Sequence, residues 1–237
     1  MLLIAHRGAS GTHPENTLAA FGAAWAAGAK AIEFDVQKAK DGTLVVIHDS
    51  DLKRTAGDPR QVRDLTLPEL KRLDAGSWFD ARFRGERIPT LEELLRAAPA
   101  DCELNLEIKQ AEPPYAGIER DVLEFLDARP LVKARTGVSS FHHGTLRALR
   151  ALDGAVRIGL LPGRLPIDQA FELARELRAE SMNVNQERLT ADWLTRAKAA
   201  GLRILVYTIV TDEQAARAAG LGADGVFSNF PDIKLPS

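Results

Sequence analysis

The feature that most restricts the fold of this chain is a regular alternation of two hydrophobic periods. Short β-type runs at 2–6, 31–37, 102–108, 136–141, 155–161, 180–185, 203–209 and 223–228 are separated by helical patterns at 17–28, 91–98, 116–128, 143–152, 167–178, 190–200 and 211–219. Several helical runs close on a glycine that is followed at once by a new apolar run, the signature of repeated βα units. Eight such strands in 237 residues fit a closed (β/α)8 (TIM) barrel, because a doubly wound sheet of this length carries fewer strands. The expectation is an α/β fold with one barrel domain over 1–237. Two stretches fall outside the repeat. The run TLVVIHD at 43–49 reads as a further short strand continuing the second unit. Residues 50–88 are polar, hold no convincing strand and carry the adjacent aromatics Trp78 and Phe79, which reads as a small insertion after the second strand. Insertions in barrels of this kind lie at the C-terminal face, so this one is expected to line the mouth.

Two strands depart from the usual pattern for a buried parallel sheet, which is apolar on both faces. Glu33 and Asp35 stand two apart and share one face, with Ile32, Phe34 and Val36 on the other. Glu103, Asn105, Glu107 and Lys109 repeat the arrangement opposite Leu104, Leu106 and Ile108. Carboxylates inside a barrel must be compensated for lost hydration. A divalent cation does this with hard oxygen ligands, so Glu33, Asp35 and Glu107 suit one Mg²⁺ or Ca²⁺ ion, with Mn²⁺ a further candidate. The alternative is a buried ion-pair cluster with Lys109 and Arg7.

His6 ends the first strand and His48 ends the run after the second, both at the expected mouth, where imidazole suits proton transfer near neutral pH. His13 is a weaker candidate, and His142 and His143 read as residues that start a helix. Arg7 and Lys109 lie beside the carboxylates and suit a phosphate. Gly8 and Gly11 would let the first loop approach a ligand closely. Asn16 and Thr17 have a second reading, as the N-terminal cap of the helix that begins at 17.

Composition excludes several classes. With 31 basic and 33 acidic residues and a net charge of −2, there is no footprint for nucleic acid or for a polybasic membrane surface. The single cysteine, Cys102, allows neither an internal disulfide nor a cysteine zinc cluster and is compatible with a reducing compartment. The opening MLLIA has five apolar residues before His6 and no basic region, too short for a signal peptide or a span, so a cytoplasmic location is expected.

In order along the chain, HRG (6–8), PENT (14–17), EFDV (33–36), HD (48–49), IPTLEELL (88–95) and NLEIK (105–109) resemble the glycerophosphodiester phosphodiesterase family. The resemblance continues through DLTLPELKRLDAGSWF in the insertion and GADGVFSNFPD near the C-terminus, and so covers nearly the whole chain. It implies a (β/α)8 barrel that hydrolyses glycerophosphodiesters to sn-glycerol 3-phosphate and an alcohol. It makes Glu33, Asp35 and Glu107 metal ligands, His6 the general base, His48 the general acid, and Arg7 and Lys109 phosphate contacts. Glu15 and Asn16 would border the same site, and the insertion, with Trp78 and Phe79, would wall it. Tyr207-Thr208-Ile209-Val210 stands where the family often has Trp-Thr-Val-Asn, and Asn229 stands where Asp is common; both departures are expected at the substrate rim. The implied partner is a small-molecule glycerophosphodiester, with no stable membrane insertion and a monomeric or homodimeric chain. Water or the glycerol C2 hydroxyl are alternative nucleophiles. Rival readings are a phospholipase-D-like or lysophospholipid phosphodiesterase on the same scaffold, and a phosphate-binding protein without turnover.

Overall fold

The apolar half of each β-type run faces helices, and this sidedness sets the architecture. In the computed structural model, which describes residues 1–235, the strands are β1 (Leu2–His6), β2 (Ala31–Lys38), β3 (Leu44–Val46), β4 (Asp51–Leu52), β5 (Asp58–Gln61), β6 (Glu103–Ile108), β7 (Thr136–Ser140), β8 (Ile158–Leu160), β9 (Ser181–Asn185), β10 (Arg203–Ile209) and β11 (Gly225–Ser228). The helices are α1 (Leu18–Ala26), α2 (Lys53–Ala56), α3 (Leu67–Leu70), α4 (Leu91–Ala97), α5 (Ile118–Asp127), α6 (Pro130–Ala134), α7 (His143–Leu152), α8 (Ile167–Leu177), α9 (Ala191–Ala200) and α10 (Asp212–Leu221). Eight parallel strands run in the order β1-β2-β6-β7-β8-β9-β10-β11, and β11 pairs with β1 (Leu2 with Gly225, Ala5 with Ser228) to close the (β/α)8 barrel. None of the described helices is long and apolar enough to cross a membrane.

The main core lies between the strands and the helices. Ile32, Phe34, Leu104 and Leu106 point outward from β2 and β6 and pack with Phe21 of α1 and Leu94 of α4. Full burial of each such side chain contributes about 1.5–3 kcal/mol. The inside of the barrel is filled separately, by Ile4, Ala31, Leu205 and Phe227. At the N-terminal end Arg157 bridges Glu180 (3.0 Å) and Glu103 (3.3 Å). Further along the strands, His6, Glu33, Glu107 and Lys109 line a cavity at the C-terminal end.

The structure departs from the sequence expectation or goes beyond it in three places. The run at 43–49 is a short strand as expected, but its direction is one that local pattern does not set: β3 folds back antiparallel on β2, with Val36 opposite Val46 and Lys38 opposite Leu44. Gly42, at φ +87°, makes the turn that reverses it. The fifth run shortens to Ile158–Leu160, since Asp153 draws the Ala155 N–H into a turn (2.7 Å). The 50–88 segment, expected to hold no strand, forms the β4–β5 hairpin and the short α2 and α3. It has its own apolar cluster, in which Leu52, Val62, Leu65 and Leu70 pack on Val45, Ile47 and Ile88. Elements of two to four residues carry too little periodicity to be read in advance.

Gly8 and Gly11 have a packing role within the fold. At Gly8 (φ +80°) a Cβ would lie 2.6 Å from the backbone of Ala20, and at Gly11 it would lie 2.3 Å from the ring of Phe230. These glycines let the first loop pack on α1 and on the C-terminal segment. Gly8→Ala should therefore cost about 2–4 kcal/mol, through left-handed strain plus overlap with fixed backbone. Gly42→Ala, also at positive φ but in open space, should cost only the strain of about 1 kcal/mol. Urea melts of the two variants check this, and equal losses would remove the packing role from Gly8.

Candidate active site

The first loop turns sharply at the end of β1. Arg7 takes a left-handed conformation (φ 55°), and its N–H is held by Glu33 through the backbone carbonyl and Oε2, both at 3.0 Å. Asn16, also left-handed (φ 58°), donates its backbone N–H to the Arg7 carbonyl (3.1 Å) and its Nδ2 to Asp35 Oδ2 (2.8 Å). Left-handed conformations of this kind cost about 1–3 kcal/mol each and persist where surroundings enforce them. The helix cap is Thr17, whose hydroxyl accepts from the Ala20 N–H (3.2 Å). Asn16 is thus no cap; it faces the acidic cluster.

Glu33, Asp35 and Glu107 bring one oxygen each within 4.8 Å of one another, and all three are buried. Lys109 Nζ meets Glu107 Oε1 at 2.6 Å and Asp35 Oδ1 at 3.3 Å, and Arg7 Nε meets Asp35 Oδ2 at 3.1 Å. Burial disfavours charge on Asp35, but Lys109 and Arg7 outweigh it and hold this carboxyl well below the usual carboxylate range. Burial and the charge of Asp35 push Glu107 up to about 7. Burial, with Asp35 and Glu107 alongside, raises Glu33 well above its ordinary value. Glu33 Oε1 is buried without a hydrogen-bond partner. Two cations do not balance this set. Three carboxylates with an unsatisfied oxygen have the hard-donor chemistry of a divalent cation site.

Both histidines are fixed through Nδ1. His6 Nδ1 lies 2.7 Å from Asn229 Oδ1, and its Nε2 lies 3.9 Å from Glu33 Oε2. Burial, then the charge of Arg7, lowers its pKa to about 4. His48 Nδ1 lies 2.8 Å from Asp49 Oδ1; burial lowers its pKa, and the nearby Asp35 opposes the shift. The segment carrying His48 is pinned by Gln37, whose buried Nε2 donates toward the carbonyls of Ile47 (3.1 Å), His48 (2.9 Å) and Asp49 (2.7 Å). Its Oε1 accepts from the Tyr115 hydroxyl (2.8 Å).

A cavity of about 250 Å³ at the C-terminal ends of the strands is lined by His6, Arg7, Glu33, His48, Glu107, Lys109 and Tyr207, with Asn105, Ser139, Asn183 and Phe141 beside them. Burial, with Glu107 nearby, pushes the Tyr207 hydroxyl up to about 12. Glu15 and Asn16 stand behind this wall, on Arg7 and Asp35. Trp78 and Phe79 do not line the cavity; they stack edge-to-face with centroids 5.7 Å apart, and the Trp78 indole donates to the Ala75 carbonyl (3.0 Å). His142 and His143 start α7, His142 as the N-cap that accepts from Thr145 N–H. Asn229, expected at the substrate rim, sits instead on His6. Gln37 and Arg54 escaped the sequence reading, as did the contacts of Asp49 and Asn229, since local pattern does not mark which side chains the fold brings together. Asp49 carried a signal as the residue after His48 in the HD pair, and Asn229 as the departure within GADGVFSNFPD.

The class that the fold defines is the (β/α)8-barrel enzymes, whose catalytic groups stand at the C-terminal ends of the strands. The family follows from comparison: residues 6–233 match the glycerophosphoryl diester phosphodiesterase family, and the chain belongs to it. It is 37% identical over 235 residues to the glycerophosphodiester phosphodiesterase of Caldanaerobacter subterraneus subsp. tengcongensis, covering 99% of this chain and 96% of that one. An Oleispira antarctica phosphodiesterase, solved in complex with the product sn-glycerol-3-phosphate, superposes with a TM-score of 0.87 at 32% identity, covering 98% of this chain and 94% of the other. A Thermotoga maritima glycerophosphodiester phosphodiesterase gives 0.79 at 29% identity, with 98% and 96% covered.

The pinning of His48 is open to test. Gln37→Leu preserves volume but strands the Tyr115 hydroxyl and the 47–49 carbonyls, so a loss of about 1–3 kcal/mol in stability is expected. An unchanged denaturant midpoint would show that water replaces the amide.

Proposed function

We propose that this protein hydrolyses glycerophosphodiesters to sn-glycerol 3-phosphate and an alcohol, using a divalent cation and the pair His6 and His48. One observation carries the reading: two imidazoles with differently charged Nδ1 partners face the same cavity as Glu33 and Glu107, with Asp35 buried directly behind them. The product bound by the Oleispira protein supports the substrate class.

The residues that would hold the cation are Glu33, Asp35 and Glu107, and the unpartnered Glu33 Oε1 fits that role. Mg²⁺, Ca²⁺ or Mn²⁺ bound there would neutralise phosphoryl oxygens as charge builds on them. Arg7 and Lys109 line the same cavity and add charge-assisted contacts to the phosphate. His6 donates Nδ1–H to the neutral amide oxygen of Asn229, so Nε2 presents a lone pair, as a base requires. Burial lowers the His48 pKa and the Asp49 carboxylate on Nδ1 opposes that shift; once the ring is protonated, Nε2–H is the proton donor. In the reaction the nucleophile, water or the glycerol C2 hydroxyl, forms the new P–O bond and passes its proton to His6. The bond to the alcohol breaks with its electron pair on oxygen, and His48 protonates that oxygen. Attack by the C2 hydroxyl gives a cyclic phosphate that water opens in a second step, with the two roles reversed.

His6→Ala and His48→Ala should each lower kcat by about 10²- to 10⁴-fold while metal binding persists. Turnover near wild type in either variant removes that histidine from the pair. Chelation with EDTA should abolish hydrolysis, and added Mg²⁺, Ca²⁺ or Mn²⁺ should restore it; full activity after rigorous chelation would make the carboxylates structural. Glycerol 3-phosphate release from choline, ethanolamine, glycerol and inositol diesters, set against lysophosphatidylcholine, tests the substrate class. Binding of these diesters without turnover would favour a binding protein instead.

A further inference from the structure

Arg54 belongs to the insertion, in α2, and makes contacts unlike those of an isolated surface ion pair. Its Nε donates to Asp49 Oδ2 (2.6 Å), while Nη1 and Nη2 donate to Glu15 Oε2 (2.8 Å) and Oε1 (2.7 Å). One guanidinium thus joins two carboxylates from different parts of the chain, and both have a second task. Asp49 holds His48 through Oδ1. Glu15 also accepts from Arg7 Nη1 (2.9 Å), whose Nε lies 3.1 Å from Asp35. The result is a continuous chain from the imidazole of His48 through Asp49, Arg54, Glu15 and Arg7 to the acidic cluster. Trp78 backs it, with the Arg54 guanidinium carbon 5.3 Å from the ring centroid. This accounts for Trp78 better than a place on the cavity wall.

We propose that Arg54 is a positioning residue: by clamping Asp49 to Glu15 it holds the His48 imidazole in the orientation from which Nε2 protonates the departing alcohol. The inference rests on the reading of His48 as the acid. The planar fork of arginine is what the geometry uses, since three of its N–H groups meet three carboxylate oxygens; an ammonium group has no such fork. Without the clamp Asp49 keeps its charge but is free to rotate off Nδ1, and the proton of His48 loses its aim. Arg54 does not line the catalytic cavity, and without it Arg7 keeps its own bonds to Glu15 (2.9 Å) and Asp35 (3.1 Å), so substrate affinity should be unaffected.

The test uses two glycerol phosphodiesters that differ only in the leaving alcohol. Choline is a poor leaving group and needs protonation; 4-nitrophenolate leaves without it. For Arg54→Ala the expected result is a fall in kcat of about 10- to 100-fold on glycerophosphocholine, within the range of a misplaced general acid. On the nitrophenyl diester kcat should stay within about threefold of wild type, with KM unchanged on both. Arg54→Lys should show the same split at smaller amplitude, and it supplies the comparison if the alanine variant does not fold. Equal falls on the two substrates, a rise in KM alone, or no fall on glycerophosphocholine would each overturn the positioning role. A wild-type protein that cleaves neither diester would instead overturn the hydrolase reading beneath it.

Discussion

Everything at the mouth of this barrel depends on the cost of burying three carboxylates on adjacent strands. Glu33 and Asp35 reach the interior because β2 alternates, and Glu107 joins them because β6 pairs with β2 in a register that sets Asp35 beside Glu107. Their burial, and then their mutual repulsion, are only partly relieved by Lys109 and Arg7, which leaves Glu33 and Glu107 with raised pKa values and Glu33 with an orphaned oxygen. A stable fold with no further use for such a cluster would replace it by apolar residues, as the interior below does with Ile4, Leu205 and Phe227. The polar layer is a standing expense in stability, of the kind that accompanies a working site.

The first loop shows how that cost is distributed. Arg7 and Asn16 adopt left-handed backbone conformations, and Gly8 and Gly11 give up their side chains so that the loop can pass against Ala20 and Phe230. The strain places a guanidinium and an amide on Asp35. The 50–88 segment then adds a second layer, with Arg54 tying the first loop to the segment that bears His48. The insertion contacts the site through charge, while its aromatics pack on one another and, at Trp78, against the Arg54 guanidinium.

Legibility in the sequence followed the range of the interaction. Glu33, Asp35 and Glu107 were visible because period-two alternation is local, and the eight βα units were visible for the same reason. The antiparallel return of β3 was not, since three apolar residues fit either direction of pairing. Asn16 looked like a helix cap because Asn serves that role well; that it instead meets Asp35, nineteen residues later, is decided by the left-handed turn. Asn229 and His6 are 223 residues apart and meet only because β11 closes on β1.

The sequence alone determined the class of the fold, the sidedness of each strand and the inventory of chemical groups, because alternation and helical spacing are properties of neighbours along the chain. The tertiary structure decided which of those groups meet. Closure of the barrel sets Asn229 on His6, the hairpin after β2 seats His48 over Gln37, and the insertion sets Arg54 between Glu15 and Asp49. These pairings depend on how strands close and where loops fold back, and no local period encodes that.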